Sequence, residues 1–350
     1  MSIGLQASKP LALLGVAVLI ALGLFLLWPA SQVFLVLFAA VLFAVFINTL
    51  VALIPARLAI PLTLARIAVT VLLLGLLSLF FVLAGPGIGD QLGQLSERLP
   101  RSMARLREVF QLHIDWQQLK NNLQLMDLQP DASQIMAGVT GVFSTTMGAL
   151  TNLAAALLIG FYLALRPQVY LRGVLHLFPQ TQRERIGHLF QALYRALGWW
   201  MLGRFSAMVA VGLLTTVALQ LIGMPLALAL GVIAGLLSFV PVLGPIAAAV
   251  PAILVALLES PLMAGYVVLI YSGVQFIEGN LLTPLIQERT VALPPAVLLA
   301  MQFAMAIFYG LFGVLLATPL AVSAIVMVQM LYVRGVLNDS IQLLGEHRKA

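Results

Sequence analysis

Long runs of apolar residues are the feature that most limits how this sequence can fold. Hydrophobic residues make up 62% of the 350 positions and charged residues only 9%, whereas a soluble domain carries about a quarter charged residues. The runs approach or exceed the roughly 20 residues that an α-helix needs to cross a bilayer. The sequence therefore predicts an all-α, polytopic membrane protein. Ten segments qualify: 11–27, 32–54, 62–84, 146–165, 203–222, 225–240, 245–258, 262–277, 294–309 and 311–333.

The number of crossings is expected to be smaller than the number of segments. Segments 245–258 and 294–309 are short for a full crossing and fit half-helices in re-entrant hairpins. We therefore expect about eight transmembrane helices, with re-entrant or broken helices in the C-terminal half. Segment 11–27 follows a single basic residue, Lys9, and no small-residue cleavage site comes after it. We interpret it as a retained helix rather than a signal peptide.

The basic residues predict the orientation. If the segments alternate in direction, 13 of the 18 lysines and arginines fall on the side of the N-terminus, and the short loops on the opposite side have none. Short cytoplasmic loops carry the excess of positive charge, so we expect both termini in the cytoplasm. The net charge of +6 is then a topology signal, and we expect no nucleic-acid binding.

Two polar stretches interrupt the apolar pattern. Gly85-Pro86-Gly87 and Gly89 are expected to end the preceding helix and to open a small helical insert outside the cytoplasm. Residues 181–200 combine a capping box, Thr181 with Glu184, with one apolar stripe and a closing Trp199-Trp200 pair. This pattern predicts a helix in the cytoplasmic interface, acting as a coupling arm or a passive anchor. The predicted organisation is N-terminal transmembrane helices (1–86), an extracytoplasmic insert (87–145), transmembrane helices with the interface helix (146–222), a C-terminal transport block (223–335) and a cytoplasmic tail (336–350).

Helix breakers in the C-terminal block predict a passage for a solute. Pro241, Gly244 and Pro245 stand in the run Phe239–Pro245, and Pro284 ends the run Ile277–Pro284. In a membrane, broken helices are tolerated where the freed backbone lines a cavity or is buried in protein. Half-helix ends in transporters bind anions and coupling ions. A tight turn between two helices is the simpler interpretation of the same residues.

Few polar side chains lie in the apolar segments, and these are the candidate pathway residues. An ionisable group at mid-bilayer costs about 3 kcal/mol on insertion scales and is a functional candidate by default. Glu278 is the best such candidate, although it also fits an ordinary helix end in cytoplasmic water. Gln275 lies about one turn before it on a similar face. Asn280 follows it, and Gln302 sits in the middle of another apolar segment.

Four glycines are better explained by helix packing. Gly231 and Gly235 have the small-xxx-small spacing that lets helices approach closely in membranes. Gly310 and Gly313 are interpreted in the same way. The sequence has no G-x-S-x-G, P-loop or H-E-x-x-H motif and no cysteine. We therefore expect no catalytic site, no metal site and no cofactor.

Four motifs together resemble those of the autoinducer-2 exporter family of bacterial multi-pass permeases. They are Val240–Pro245, Glu278–Pro284, Leu293-Pro-Pro295 and Gly310–Pro319. Pro294 departs from the family pattern, which more often has histidine there. The resemblance implies a transporter of the cytoplasmic (inner) membrane with about eight crossings. It also implies a homo-oligomer, for which a pentamer is one candidate.

Three functions remain open at this point. The first is secondary transport or facilitated export of a small polar solute such as the quorum-sensing signal autoinducer-2, which the resemblance implies. The second is sodium(lithium)/proton antiport, with Na⁺ and H⁺ as partners and Glu278 as the titrating carboxylate. The third is a non-transporting membrane scaffold whose outer insert binds a partner. The broken helices speak against the scaffold, which has no need of them.

Overall fold

The fold is helical throughout the part of the chain that the structure describes. The computed structural model describes residues 31–55, 61–113, 151–282, 294–334 and 337, and these contain no β-strand. Two π-helical turns, Glu278–Leu282 and Val328–Val333, are present as well. In chain order the α-helices are α1 (Ser31–Ala52), α2 (Leu62–His113), α3 (Thr151–Leu165), α4 (Pro167–His176), α5 (Gln180–Leu221), α6 (Ala227–Leu237), α7 (Leu243–Glu259), α8 (Pro261–Ile277) and α9 (Pro295–Met327).

Within the described residues, five helices are long and apolar enough to cross a membrane. A sixth span results if α3 and α4, which meet at an angle of 90°, are taken together. Large apolar side chains on these spans are exposed, as expected for contact with lipid; examples are Leu269 and Ile307. The predicted all-α membrane fold is confirmed. Segment 11–27 lies outside the described residues, and the total of about eight crossings stays a prediction.

Helix α2 continues through the residues that were expected to end it. It runs without interruption across Gly85-Pro86-Gly87, so the predicted break is wrong. At about 1.5 Å per residue, its 52 residues extend over roughly 78 Å, well beyond a hydrocarbon core of about 30 Å. Its second half packs on the C-terminal block: Leu95 is buried in a cluster with Leu219 and Leu230. Most of the predicted insert, residues 114–145, lies outside the described residues.

Helix α5 also joins two predicted elements into one. The polar stretch 181–200 and segment 203–222 form a single helix of 42 residues, so a separate interface helix is not observed. Its N-cap is Pro179 and no side chain caps it, so the predicted capping box is wrong. Trp200, expected at headgroup depth, is buried and lies edge-on to Phe239, with ring centroids 5.8 Å apart.

Two hydrophobic clusters form the interior, and α5 contributes to both. The first combines α1, α3, α5 and α9 around residues such as Phe46, Leu197 and Leu316. The second combines α2, α5, α6, α7 and α8 around residues such as Leu219 and Val255. Helix α5 therefore connects the N-terminal spans to the C-terminal block.

Helix α9 contains a sharp break at Gly310. The backbone of Gly310 has φ 58° and ψ −145°, a conformation that is essentially restricted to glycine. Segments 294–309 and 311–333 are therefore distinct, as the sequence indicated. Gly310 itself is the break, whereas its expected role was to pack one helix against another.

Candidate functional site

The connection between α6 and α7 is a strained turn inside the helical block. The amide of Leu243 donates to the carbonyl of Pro241 at 2.8 Å, closing a γ-turn around Val242. Val242 has φ 68° and ψ −62°. Positive φ is a genuine outlier for a β-branched residue and costs about 1–3 kcal/mol. Such strain persists only where the surroundings enforce it, and it concentrates at functional positions.

The remaining breakers of the run fit around this turn. A Cβ at Gly244 would overlap the carbonyl oxygen of Leu237, so only glycine fits there. Pro245 stands in the first turn of α7, where its missing N–H removes no helical hydrogen bond. Residues 238–242 are called the α6–α7 break below. Their conformation is set by Pro241, Gly244 and Pro245, the residues that the sequence singled out.

Glu278 lies in the protein interior, where it forms an ion pair with Arg204. Nη1 of Arg204 donates to Oε1 of Glu278 at 3.1 Å, and the two side chains are 6% and 4% exposed. Nε2 of Gln275 donates to the second carboxylate oxygen at 2.9 Å. The expected closeness of Gln275 and Glu278 is present in the structure. An ordinary helix end in water does not fit a carboxylate this deeply buried.

Arg204 also connects the ion pair to the α6–α7 break. Its Nε donates to the carbonyl of Phe239 at 3.1 Å. One guanidinium therefore links α5, the break and the end of α8. Removing one partner of such a buried pair leaves an uncompensated charge, which typically costs about 3–5 kcal/mol.

Gln302 reaches the same break from α9. Its side chain is fully buried, and Nε2 donates to the carbonyl of Pro241 at 2.9 Å. That carbonyl therefore accepts from both Gln302 and Leu243. Pro241, Gln275, Glu278 and Gln302, which are far apart in the sequence, are brought together with Arg204 around one break.

Two candidate residues do not join this cluster. Asn280 is exposed and its Nδ2 donates to the carbonyl of Phe276 at 3.0 Å, within its own helical turn. Asn280 and Glu278 both belong to the π-helical turn that follows α8. Pro284 lies outside the described residues.

The glycines of α6 hold the site's two helices close together. A Cβ at Gly231 would collide with Oγ1 of Thr216, and one at Gly235 would lie 2.8 Å from the carbonyl of Met208. Helices α5 and α6 therefore approach backbone to backbone and run antiparallel. This contact brings Arg204 near Phe239. In α9, a Cβ at Gly313 would collide with the carbonyl of Met305.

Comparison with protein families decides the classification. The family model described as "AI-2E family transporter" matches residues 14–332. The chain belongs to this family. The match includes Arg204, the α6–α7 break, Glu278 and Gln302.

Proteins of Bacillus subtilis and Synechocystis resemble this family member over 56% to 84% of its length. One Bacillus subtilis (strain 168) protein, named "Putative transport protein YueF", is 24% identical over 84% of this chain and 83% of its own. Another from the same organism, named "Putative transport protein YrrI", is 28% identical over 78% of this chain and 80% of its own. A Synechocystis protein, named "Putative transport protein sll0060", is 26% identical over 56% and 53%.

Two polar clusters of this family member escaped the sequence analysis. In the sequence, Arg204 counts only as one of the basic residues on the side of the N-terminus, although it is the single basic residue inside segment 203–222. Arg66 was likewise counted only for orientation. Its Nε donates to Oδ1 of Asn48 at 2.8 Å and its Nη1 to the carbonyl of Leu165 at 2.9 Å, which joins α1, α2 and α3. The sequence feature that indicates this second cluster is a polar residue, Asn48, inside the apolar segment 32–54.

A groove of about 430 Å³ lies on the surface, away from the α6–α7 break. It is formed by the start of α5 and the C-terminal π-helical turn, which Arg185 connects by donating to the carbonyl of Leu331 at 2.9 Å. None of the predicted pathway residues borders it. Its lining residues are Thr181, Glu184, Arg185, His188, Met330 and Arg334.

Proposed function

We propose that the protein is a permease that exports a small polar solute, such as autoinducer-2, by secondary transport or facilitated diffusion. The observation that carries the proposal is the buried Arg204–Glu278 pair beside the α6–α7 break. Buried charges are costly inside a membrane protein and mark the pathways of substrates and ions. The sequence contains no P-loop motif, so ATP hydrolysis by this chain is not part of the proposal.

The proposed setting follows from family membership and charge distribution. The family and its relatives' names support transport. The cytoplasmic (inner) membrane, the cytoplasmic termini and a homo-oligomer, with a pentamer as one form, belong to the proposal. Export rather than import is its most specific element, because the resemblance to autoinducer-2 exporters is what suggests it.

Sodium(lithium)/proton antiport is the second candidate, and one observation favours it. Glu278 is the only buried carboxylate among the described residues. An antiporter needs such a group to exchange a proton for a cation. Arg204 and Gln275 hold both carboxylate oxygens, so antiport requires this arrangement to open during the cycle.

Flux measurements on proteoliposomes separate these candidates. The full chain and its Glu278→Gln variant are reconstituted with autoinducer-2 inside the vesicles, with a pH-sensitive dye and an imposed sodium gradient. Export predicts faster efflux of autoinducer-2 than from protein-free vesicles, and export by facilitated diffusion predicts that this efflux does not depend on sodium. Proton movement that requires sodium and disappears in Glu278→Gln would favour antiport. The absence of both fluxes would contradict a transport function and favour a scaffold.

A further inference from the structure

Two buried polar atoms beside the α6–α7 break have no hydrogen-bond partner in the part of the chain that the structure describes. They are Nη2 of Arg204, a donor, and Oε1 of Gln302, an acceptor. Arg204 is 6% exposed and Gln302 is fully buried. Most buried polar atoms in native proteins are hydrogen-bonded, so each exception asks for an explanation. A ligand that enters the site during the transport cycle is one.

Both side chains are anchored to the same short stretch of backbone. Nε of Arg204 donates to the carbonyl of Phe239, and Nε2 of Gln302 donates to the carbonyl of Pro241. One comes from α5 and the other from α9. The free donor and the free acceptor therefore belong to side chains that converge on three consecutive residues, and their orientation is fixed by these two bonds.

The charges around the break favour an uncharged ligand. The guanidinium of Arg204 is already balanced by Glu278, and Gln302 is neutral. An anion or a cation would add an unbalanced charge to a buried site, which is strongly unfavourable. An uncharged molecule with hydroxyl groups supplies both an acceptor for Nη2 and a donor for Oε1.

We infer that Nη2 of Arg204 and Oε1 of Gln302 form a polar subsite that binds an uncharged, hydroxyl-bearing solute during transport. This inference rests on the proposed transport function and names the class of its solute. Three other residues in the described part of the chain also have a buried side-chain atom without a partner: Thr215, Tyr271 and Gln329. None of them forms a hydrogen bond to the α6–α7 break through another atom.

The subsite is closed in this structure, and the strained turn provides a way to open it. Neither atom is accessible to solvent. The γ-turn at Val242 holds the carbonyl of Pro241 against Gln302. A change of Val242 to negative φ would relieve strain and reorient that carbonyl. Opening the α6–α7 break would thus free Gln302 and admit the solute.

Permeation of defined solutes tests the subsite. Proteoliposomes containing the full chain are exposed to a neutral panel (glycerol, erythritol, xylitol, ribose) and a charged panel (sodium lactate, lithium chloride), and light scattering follows osmotic swelling. Gln302→Met removes the free acceptor at nearly constant shape, together with the bond from Nε2 to Pro241. Arg204→Lys keeps the charge opposite Glu278 but removes Nη2, together with the bond from Nε to Phe239. In both, the fastest neutral permeation should fall about tenfold, as expected for one lost buried hydrogen bond.

Gln329→Met is the matched control. It makes the same exchange at another unpartnered glutamine, in the C-terminal π-helical turn, and permeation should stay at the wild-type rate. Thermal unfolding in detergent checks each variant, and Gln302→Asn, which shortens the amide's reach, replaces Gln302→Met if the latter does not fold.

The outcomes separate the subsite from the proposed function. Unchanged neutral permeation in Gln302→Met and Arg204→Lys would overturn the subsite alone and assign Oε1 to a buried water. Faster passage of the charged panel would overturn the neutral class of solute. An equal loss in Gln329→Met would show a nonspecific effect and also count against the subsite. If no solute of either panel enters with the wild-type protein, the proposed function fails, and the subsite with it.

Discussion

At the scale of single residues, the ion pair between Arg204 and Glu278 dominates the energetics of the candidate site. Arg204→Met leaves a buried carboxylate without its counter-charge, so we expect the free energy of unfolding to fall by about 3–5 kcal/mol. The double variant Arg204→Met/Glu278→Gln should lose less than the two single variants combined. Chemical unfolding in detergent micelles measures all three.

The pair between Arg98 and Glu259 provides the control. It has the same separation of 3.1 Å, but its side chains are 31% and 44% exposed. Exposed pairs contribute about 0–1 kcal/mol, so Arg98→Met should change stability little. If Arg204→Met is no more destabilising than Arg98→Met, the buried pair does not hold the site together.

The same residues show what the sequence could and could not reveal. The closeness of Gln275 and Glu278 followed from their spacing within one helix, because residues three apart share a face. The partnership of Arg204 with Glu278 joins residues 74 positions apart, and no local pattern specifies it. Burial of Glu278 depends on this partner, so the sequence alone is compatible with both interpretations of Glu278.

At the scale of helices, the close contact of α5 and α6 positions Arg204 against the break. A methyl group at Gly235 would lie 2.8 Å from the carbonyl of Met208 and 3.0 Å from Cα of Gly212. Backbone atoms cannot yield as side chains do, so Gly235→Ala should destabilise the protein by about 1–3 kcal/mol. It should also slow solute flux in proteoliposomes, because separating α5 from α6 moves Arg204 away from the α6–α7 break.

Gly265 in α8 is the matched control for that prediction. Nothing lies within 4 Å of a Cβ built there, and alanine is the better helix former by about 1 kcal/mol. Gly265→Ala should therefore be neutral or stabilising in a thermal unfolding assay. Equal melting temperatures for Gly235→Ala and Gly265→Ala would show that the contact between α5 and α6 is loose.

Helix continuity was harder to predict than helix position. Segment 262–277 nearly coincides with α8, because its apolar run has clear ends. The same rule placed a break near Gly85-Pro86-Gly87, yet α2 continues there. Membrane helices tolerate glycine and proline when neighbouring groups compensate, and α2 packs on the C-terminal block through Leu95 and Arg98. Such tertiary support is invisible in the local sequence.

At the scale of the whole molecule, α5 and α2 make the two halves interdependent. Helix α5 contributes to both hydrophobic clusters. Oε1 of Gln91 in α2 accepts from the amide of Ala229 at 2.9 Å, in the first turn of α6. A side chain of the N-terminal half therefore caps the first turn of a helix in the C-terminal block. A rearrangement at the α6–α7 break would be transmitted to both clusters through α5.

The proposed orientation of the whole chain can be tested by labelling, because the natural sequence has no cysteine. Glu259, at the end of α7, is placed outside the cytoplasm by the basic residues, and Glu184, near the start of α5, is placed inside. Their side chains are 44% and 92% exposed. We expect Glu259→Cys to react with a membrane-impermeant maleimide in intact spheroplasts, and Glu184→Cys to react only after permeabilisation. Because Glu184 is the more exposed of the two, its protection in intact spheroplasts can only reflect the membrane. The reverse pattern would invert the topology, and export would then have to be redrawn as import.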